Sequence, residues 1–161
     1  MTSPPIGKPI ATAALAAVVV LALGALATDI GPWYRQLSQP DWKPPDAWFA
    51  PVWTTLYVLT AAAGVLGWRA SPDRGARRRL LLAFVANAIA NVLWSVLFFR
   101  LQRPDWALAE VVVLWASTAV LVVVVGRRSR VGGGLLLPYL AWVSFAAVLN
   151  AAVVQRNGPF G

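Results

Sequence analysis

The chain has 161 residues, 59% hydrophobic and 12% charged, with 14 Lys+Arg against 6 Asp+Glu and neither Cys nor His. Soluble domains run at about 45–50% apolar and about 25% charged residues, so this composition excludes an ordinary soluble domain. Without Cys or His there are no disulfides, no thiolate chemistry, no histidine-ligated zinc or haem, and no residue that ordinarily titrates near neutral pH.

Five apolar stretches follow one another: roughly Ile10–Ala27, Phe49–Trp68, Leu80–Phe99, Trp106–Val125 and Leu135–Val154. Each is close to the ~20 residues that cross a ~30 Å hydrocarbon core as a helix. Lipid cannot satisfy free backbone groups, so spans of this kind are helical. The expected fold is an all-α membrane protein, a five-helix transmembrane bundle forming a single domain over 1–161. The first stretch, with Lys8 before it and Ala25-Leu26-Ala27 at its end, also has the outline of a signal peptide. Its length and the four spans behind it favour retention as a first helix. The short connections Asp73-Arg74-Gly75 and Gly132-Gly133-Gly134 read as turns.

The net charge of +8 would suggest nucleic acid in a soluble protein. Here the arginines cluster between apolar runs, which makes topology the better reading and nucleic acid no partner. One side carries Lys8, Arg69, Arg74, Arg77, Arg78, Arg79, Arg127, Arg128 and Arg130; the other carries Arg35, Lys43, Arg100, Arg103 and Arg156. Positive charge stays inside, so the N-terminus is expected in the cytoplasm and the C-terminus outside, with a bacterial cell membrane as the setting.

Between the first two spans, residues 33–57 read WYRQLSQPDWKPPDAWFAPVWTTLY and hold four of the nine tryptophans and four of the twelve prolines. Pro40, Pro44, Pro45 and Pro51 disfavour a long helix before about residue 49, and Pro51 fits a helical first turn. A stiff aromatic loop of this kind needs a surface on which its rings can lie. Further on, Asn87, Asn91, Trp94 and Phe98 share one face of the third span. By the same spacing Phe49, Trp53, Tyr57, Thr60 and Gly64 align in the second; Trp106, Ala109, Glu110 and Val113 in the fourth; and Trp142, Ala146, Leu149 and Asn150 in the fifth.

The strings LxxPxWxPP, PVWTxLY, an Asn-bearing third helix ending in LFF, DWALAE and PYLAWxxFAxxLN occur in this order. Together they resemble the tryptophan-rich sensory protein (TspO/MBR) family, to which the mitochondrial translocator protein belongs, over about residues 24–157. The resemblance implies a receptor or sensor binding porphyrins and related hydrophobic aromatic ligands, with no required cofactor beyond a porphyrin- or haem-like ligand. It also implies a homodimer in lipid. A membrane carrier of porphyrins or small amphiphiles, and a ligand-dependent regulatory partner, are the alternatives. Light-dependent porphyrin degradation has been proposed for bacterial relatives, but no nucleophile, acid–base pair or metal set is visible, and no enzyme is expected.

The residues that the resemblance places around the ligand are Phe49, Ala50, Trp53, Trp106, Ala109, Val113, Ala146 and Leu149. The family's equivalents of Trp53 and Trp142 are proposed to interact with porphyrin. Asn91 reads either as interhelical glue or as a partner for a ligand's polar edge, and the span-end tryptophans Trp33, Trp42 and Trp68 fit an interfacial belt. Counting from Pro138, Trp142 is expected well below Trp53 in the membrane. Glu110 is expected near an entrance, and Ala86 and Ala90 offer a close-packing face for the dimer. Two departures from the family pattern stand out. Ala47 stands where the family commonly has Trp, and the Tyr of the sterol-recognition segment is absent after Asn150.

Overall fold

The structure is a computed structural model and describes residues 7–160, with side chains from residue 10 onward; the side chain of Lys8 lies outside the described residues. Helix α1 (Gly7–Ala27) is followed by a loop containing the short α2 (Pro32–Gln36) and a single 3-10 turn (Asp46–Trp48). Then come α3 (Phe49–Arg69), α4 (Arg74–Ser95) running on into a π turn (Val96–Arg100), α5 (Pro104–Gly126), α6 (Arg130–Leu135) and α7 (Leu137–Asn157). Five of these segments are long and apolar enough to cross a membrane, and no strand occurs among the described residues. The protein is thus a multi-pass, all-α membrane protein.

Helix boundaries follow local chemistry. As expected, α3 begins where the prolines end, with Pro51 inside its first turn. α4 starts six residues ahead of its apolar run because Asp73 caps it, accepting from the Ala76 N–H at 2.8 Å. The glycines 132–134 are not a turn: they lie in α6. Ser129 caps that helix through the Gly132 N–H at 3.0 Å. Helix α6 lies against the end of α5 so closely that a Cβ on Gly133 would sit 2.6 Å from the Gly126 Cα. Glycine is required at this contact to let two backbones meet.

Around the bundle α1 packs on α3 and α4, α4 on α5, α5 on α7, and α6 and α7 close the ring against α3. One apolar core unites Leu56, Ala90, Val111, Leu114, Tyr139 and Val143. A second, nearer α6, unites Ala63, Leu80, Leu121, Val125 and Leu136. Ala90 is therefore spent inside the bundle while Ala86 is exposed, so the two do not form a shared outward stripe. Hydrogen bonds tie the helices through the core. The Asn87 amide donates to Ser117 and Thr118, and the Tyr139 hydroxyl donates to the Asn87 oxygen. In lipid such interhelical bonds contribute roughly 0.6–2 kcal/mol each.

Candidate functional site

At the end of the bundle where the aromatic loop lies, a cavity of about 390 Å³ opens between α1, α3, α4 and α7. Its walls are mainly aromatic. Trp53 and Trp142 meet edge to face with ring centroids 6.4 Å apart and planes at 87°. Phe49 meets Trp142 edge to face at 5.6 Å. The expected depth gap between Trp53 and Trp142 is thus absent. The reason is that the fifth span starts at Arg130, not near Pro138. The short α6 already fills the lower level, and twelve residues at about 1.5 Å each lift Trp142 to the level of Trp53.

The orientation of Trp53 is set from both sides. Tyr57, one turn on, stacks against it at 5.5 Å, and Tyr139 abuts it edge on at 6.1 Å. Asn91 holds both phenols: its side-chain oxygen accepts from the Tyr57 hydroxyl at 2.7 Å, and its amide donates to the Tyr139 hydroxyl at 3.1 Å. A neighbouring wall is built from Trp94, which stacks on Phe98 at 5.2 Å and donates its indole N–H to Asn150. Asn150 in turn donates to the Pro104 carbonyl. The π turn widens the helix at Phe98 and Phe99, and both line the cavity. π turns of this kind often sit at functional sites.

The roof is the loop. Tyr34, Gln39 and Asp46 line the cavity from above. The loop is fixed at three places. Trp33 and Tyr34 lie on Phe98 and Phe99. Trp42 lies edge on to Phe145 of α7. At Ser38, the backbone N–H donates to the Asn157 side-chain oxygen at 2.7 Å, and the Asn157 amide donates to the Ser38 carbonyl at 2.9 Å. Within the loop Asp46 accepts from the Tyr34 hydroxyl and pairs with Lys43 at 2.5 Å. Burial, and then the Asp46 carboxylate that accepts its proton, hold the Tyr34 phenol above the usual tyrosine range.

A model of the TspO/MBR family matches residues 11–156. The chain belongs to that family. It is 36% identical over 159 residues to the tryptophan-rich protein TspO of Chlorobaculum tepidum, covering 93% of this chain and 98% of that protein. It is 36% identical over 130 residues to protein CrtK of Rhodobacter capsulatus, covering 79% of each. To the translocator protein of Sus scrofa it is 34% identical over 126 residues, covering 78% of this chain and 75% of that one.

In this TspO/MBR bundle, Phe49, Ala50, Trp53, Asn91, Trp142, Ala146 and Leu149 all line the cavity. Trp106, Ala109 and Val113 do not: they lie on the outward face of α5, with Trp106 50% and Val113 59% exposed. At about 100° per residue those three share an arc centred roughly 140° away from that of Ala107, Val111, Leu114 and Thr118, which face the core. Trp106 is instead covered by the Arg103 guanidinium at 4.2 Å, an arrangement that suits an interfacial anchor. Glu110, one turn on from Trp106, is buried: it is 9% exposed, and neither carboxylate oxygen has a hydrogen-bond partner.

Several lining residues were not singled out from the sequence. Leu21, Gly24 and Ala25 come from α1, and Thr28, Tyr34, Gln39 and Asp46 from the loop. The Leu/Ala/Val run of α1 carries no pattern that could reveal its contribution. Tyr57 and Asn150 share helical faces with the chosen residues, and that spacing was a usable signal.

Proposed function

We propose that the cavity binds a flat, largely apolar aromatic ligand of the porphyrin class, and that the protein acts as a membrane receptor or sensor for it. The observation that carries this reading is the pair of indoles, Trp53 and Trp142, set edge to face on one cavity whose roof is a tied loop. Such walls offer stacking faces and ring edges to an aromatic guest. Ala50 and Ala146 leave room between the rings. The indole N–H groups of Trp53 and Trp142 make no hydrogen bond among the described residues, so both are available to a ligand acceptor. The volume, about 390 Å³, falls at the small end of the ~300–1,000 Å³ range of ligand sites. A whole macrocycle therefore requires the loop to shift upward, and loop opening becomes part of binding.

The test is to fill the cavity. Ala146→Leu places three more carbons between the walls, and overpacking of that kind costs about 1–3 kcal/mol. Porphyrin titration read by quenching of protein fluorescence should show weakened binding while the helical circular dichroism and melting midpoint stay close to wild type. Unchanged affinity in a folded variant places the ligand elsewhere.

The orientation belongs to the same proposal, with the arginine-rich end in the cytoplasm and the cavity end outside, as the charge asymmetry supports. Single cysteines at Ser129 and Gly158 should then label from opposite sides of intact cells, Gly158 being the one reached from outside; the reverse pattern refutes the orientation.

A further inference from the structure

The end of the bundle opposite the cavity is strongly and almost uniformly basic. Arg69 closes α3, Arg74, Arg77, Arg78 and Arg79 open α4, and Arg127, Arg128 and Arg130 follow α5. The carboxylate in these segments, Asp73, is turned to the Ala76 N–H as a helix cap. Among the described residues none of these arginines forms an ion pair. Arg77 lies over the Trp68 ring at 5.3 Å, and its Nε is buried without a hydrogen-bond partner.

The outward face of α4 continues from this basic patch. At about 100° per residue, Arg74, Arg78, Leu81, Leu82, Val85 and Ile89 fall within one arc of roughly 100°. All six are exposed. The lane changes from guanidinium to hydrocarbon within one turn. From Arg78 to Ile89 it runs about 16 Å at 1.5 Å per residue, close to half of a ~30 Å core, which is the depth of one leaflet.

We propose that α4 carries a binding site for an anionic phospholipid. The phosphate sits between Arg74, Arg77 and Arg78, and the acyl chains lie along Leu81, Leu82, Val85 and Ile89. Guanidinium forks match phosphate oxygens in pairs. Trp68 braces Arg77 at the level where headgroups meet hydrocarbon. A parallel second copy on this face would bring Arg74 and Arg78 against their own equivalents, and that like-charge contact disfavours a protein occupant. Basic surfaces between membrane helices ordinarily select anionic headgroups.

The experiment uses the full chain in neutral detergent. Phosphatidylglycerol, phosphatidylcholine with the same acyl chains, and inorganic phosphate are added separately, and the melting midpoint and the mass of bound lipid are measured. Phosphatidylglycerol should bind and raise the midpoint, with the effect weakening in high salt, while the other two should do neither. Arg74→Gln with Arg78→Gln should weaken phosphatidylglycerol binding about thirty-fold, from the ordinary contribution of one interfacial arginine taken twice. Arg127→Gln with Arg130→Gln, an equal loss of charge at the same end, should leave binding within about three-fold of wild type. The two pairs are surface residues, and a Leu82→Ala, Ile89→Ala double variant tests the acyl lane without touching charge; it too should weaken retention. Equal binding of phosphatidylcholine overturns the proposal, as does equal binding of inorganic phosphate. Equal losses from the two arginine pairs would reduce the site to a diffuse field and overturn it as well. So would a dimer in which phosphatidylglycerol no longer binds, because the face would then belong to a second copy.

Discussion

Asn157 should control how fast a ligand leaves. Its side chain spans 119 residues of sequence to hold Ser38 by two hydrogen bonds, one accepted and one donated. The Ser38 side is backbone, so the latch can be removed only from α7. Asn157→Ala deletes both bonds, each with a net contribution of about 0.5–1.5 kcal/mol, for roughly 1–3 kcal/mol in favour of the open loop. That range corresponds to roughly 5- to 150-fold in the opening equilibrium, and because the latch is exposed to water the lower part of the range applies. Release should therefore quicken about ten-fold. Asn157→Asp keeps the acceptor for the Ser38 N–H but loses the donor, so its rate should fall between wild type and Asn157→Ala. The assay is stopped-flow recovery of protein fluorescence after a porphyrin-loaded sample is mixed with excess empty acceptor. Circular dichroism should stay unchanged, since Asn157 ends its helix and its remaining bond is to the Val153 carbonyl one turn back. Release at the wild-type rate from a folded Asn157→Ala protein would show that the loop does not move on the exit path.

Gly133→Ala should lower the melting midpoint, because its Cβ would meet backbone atoms of Gly126 and Val122, at 2.6 Å and 3.2 Å, that cannot rotate aside; overpacking of this kind costs about 1–3 kcal/mol, and a wild-type midpoint would refute the close helix contact. Glu110→Leu should raise the midpoint, since it removes a buried carboxyl with no partner at either oxygen, a group whose burial costs about 1–3 kcal/mol. A loss of stability there would reveal a partner for Glu110.

The five spans were legible because length and hydropathy are enough to define a helix in lipid, and α3 begins at Phe49 as its prolines required. The cavity was legible where a span mixes large and small or polar and apolar residues, as in Phe49, Ala50 and Trp53 or in Trp142, Ala146 and Leu149. It was not legible in α5. There valines and alanines occupy every face, so the spacing of Trp106, Ala109 and Val113 identifies a common side but not which side faces the core. The same uniformity hid α1. The glycines of α6 read as a turn from local chemistry alone, and only the neighbouring Gly126 explains why they are helical. That misreading also moved the start of the fifth span, and with it the depth of Trp142.

The most direct measurement is a double-mutant cycle of porphyrin affinity over Trp53→Phe and Trp142→Phe, with Trp115→Phe, whose indole is bonded to Ser144, as the control. Each change keeps an aromatic face but loses area and the indole N–H, and each should weaken binding by about 0.5–1.5 kcal/mol. With ring centroids 6.4 Å apart on one cavity, the two indoles would touch the same ligand under this proposal, so the double variant should depart from additivity by at least about 0.5 kcal/mol. Strict additivity, or losses no larger than that from Trp115→Phe, would contradict a shared aromatic site.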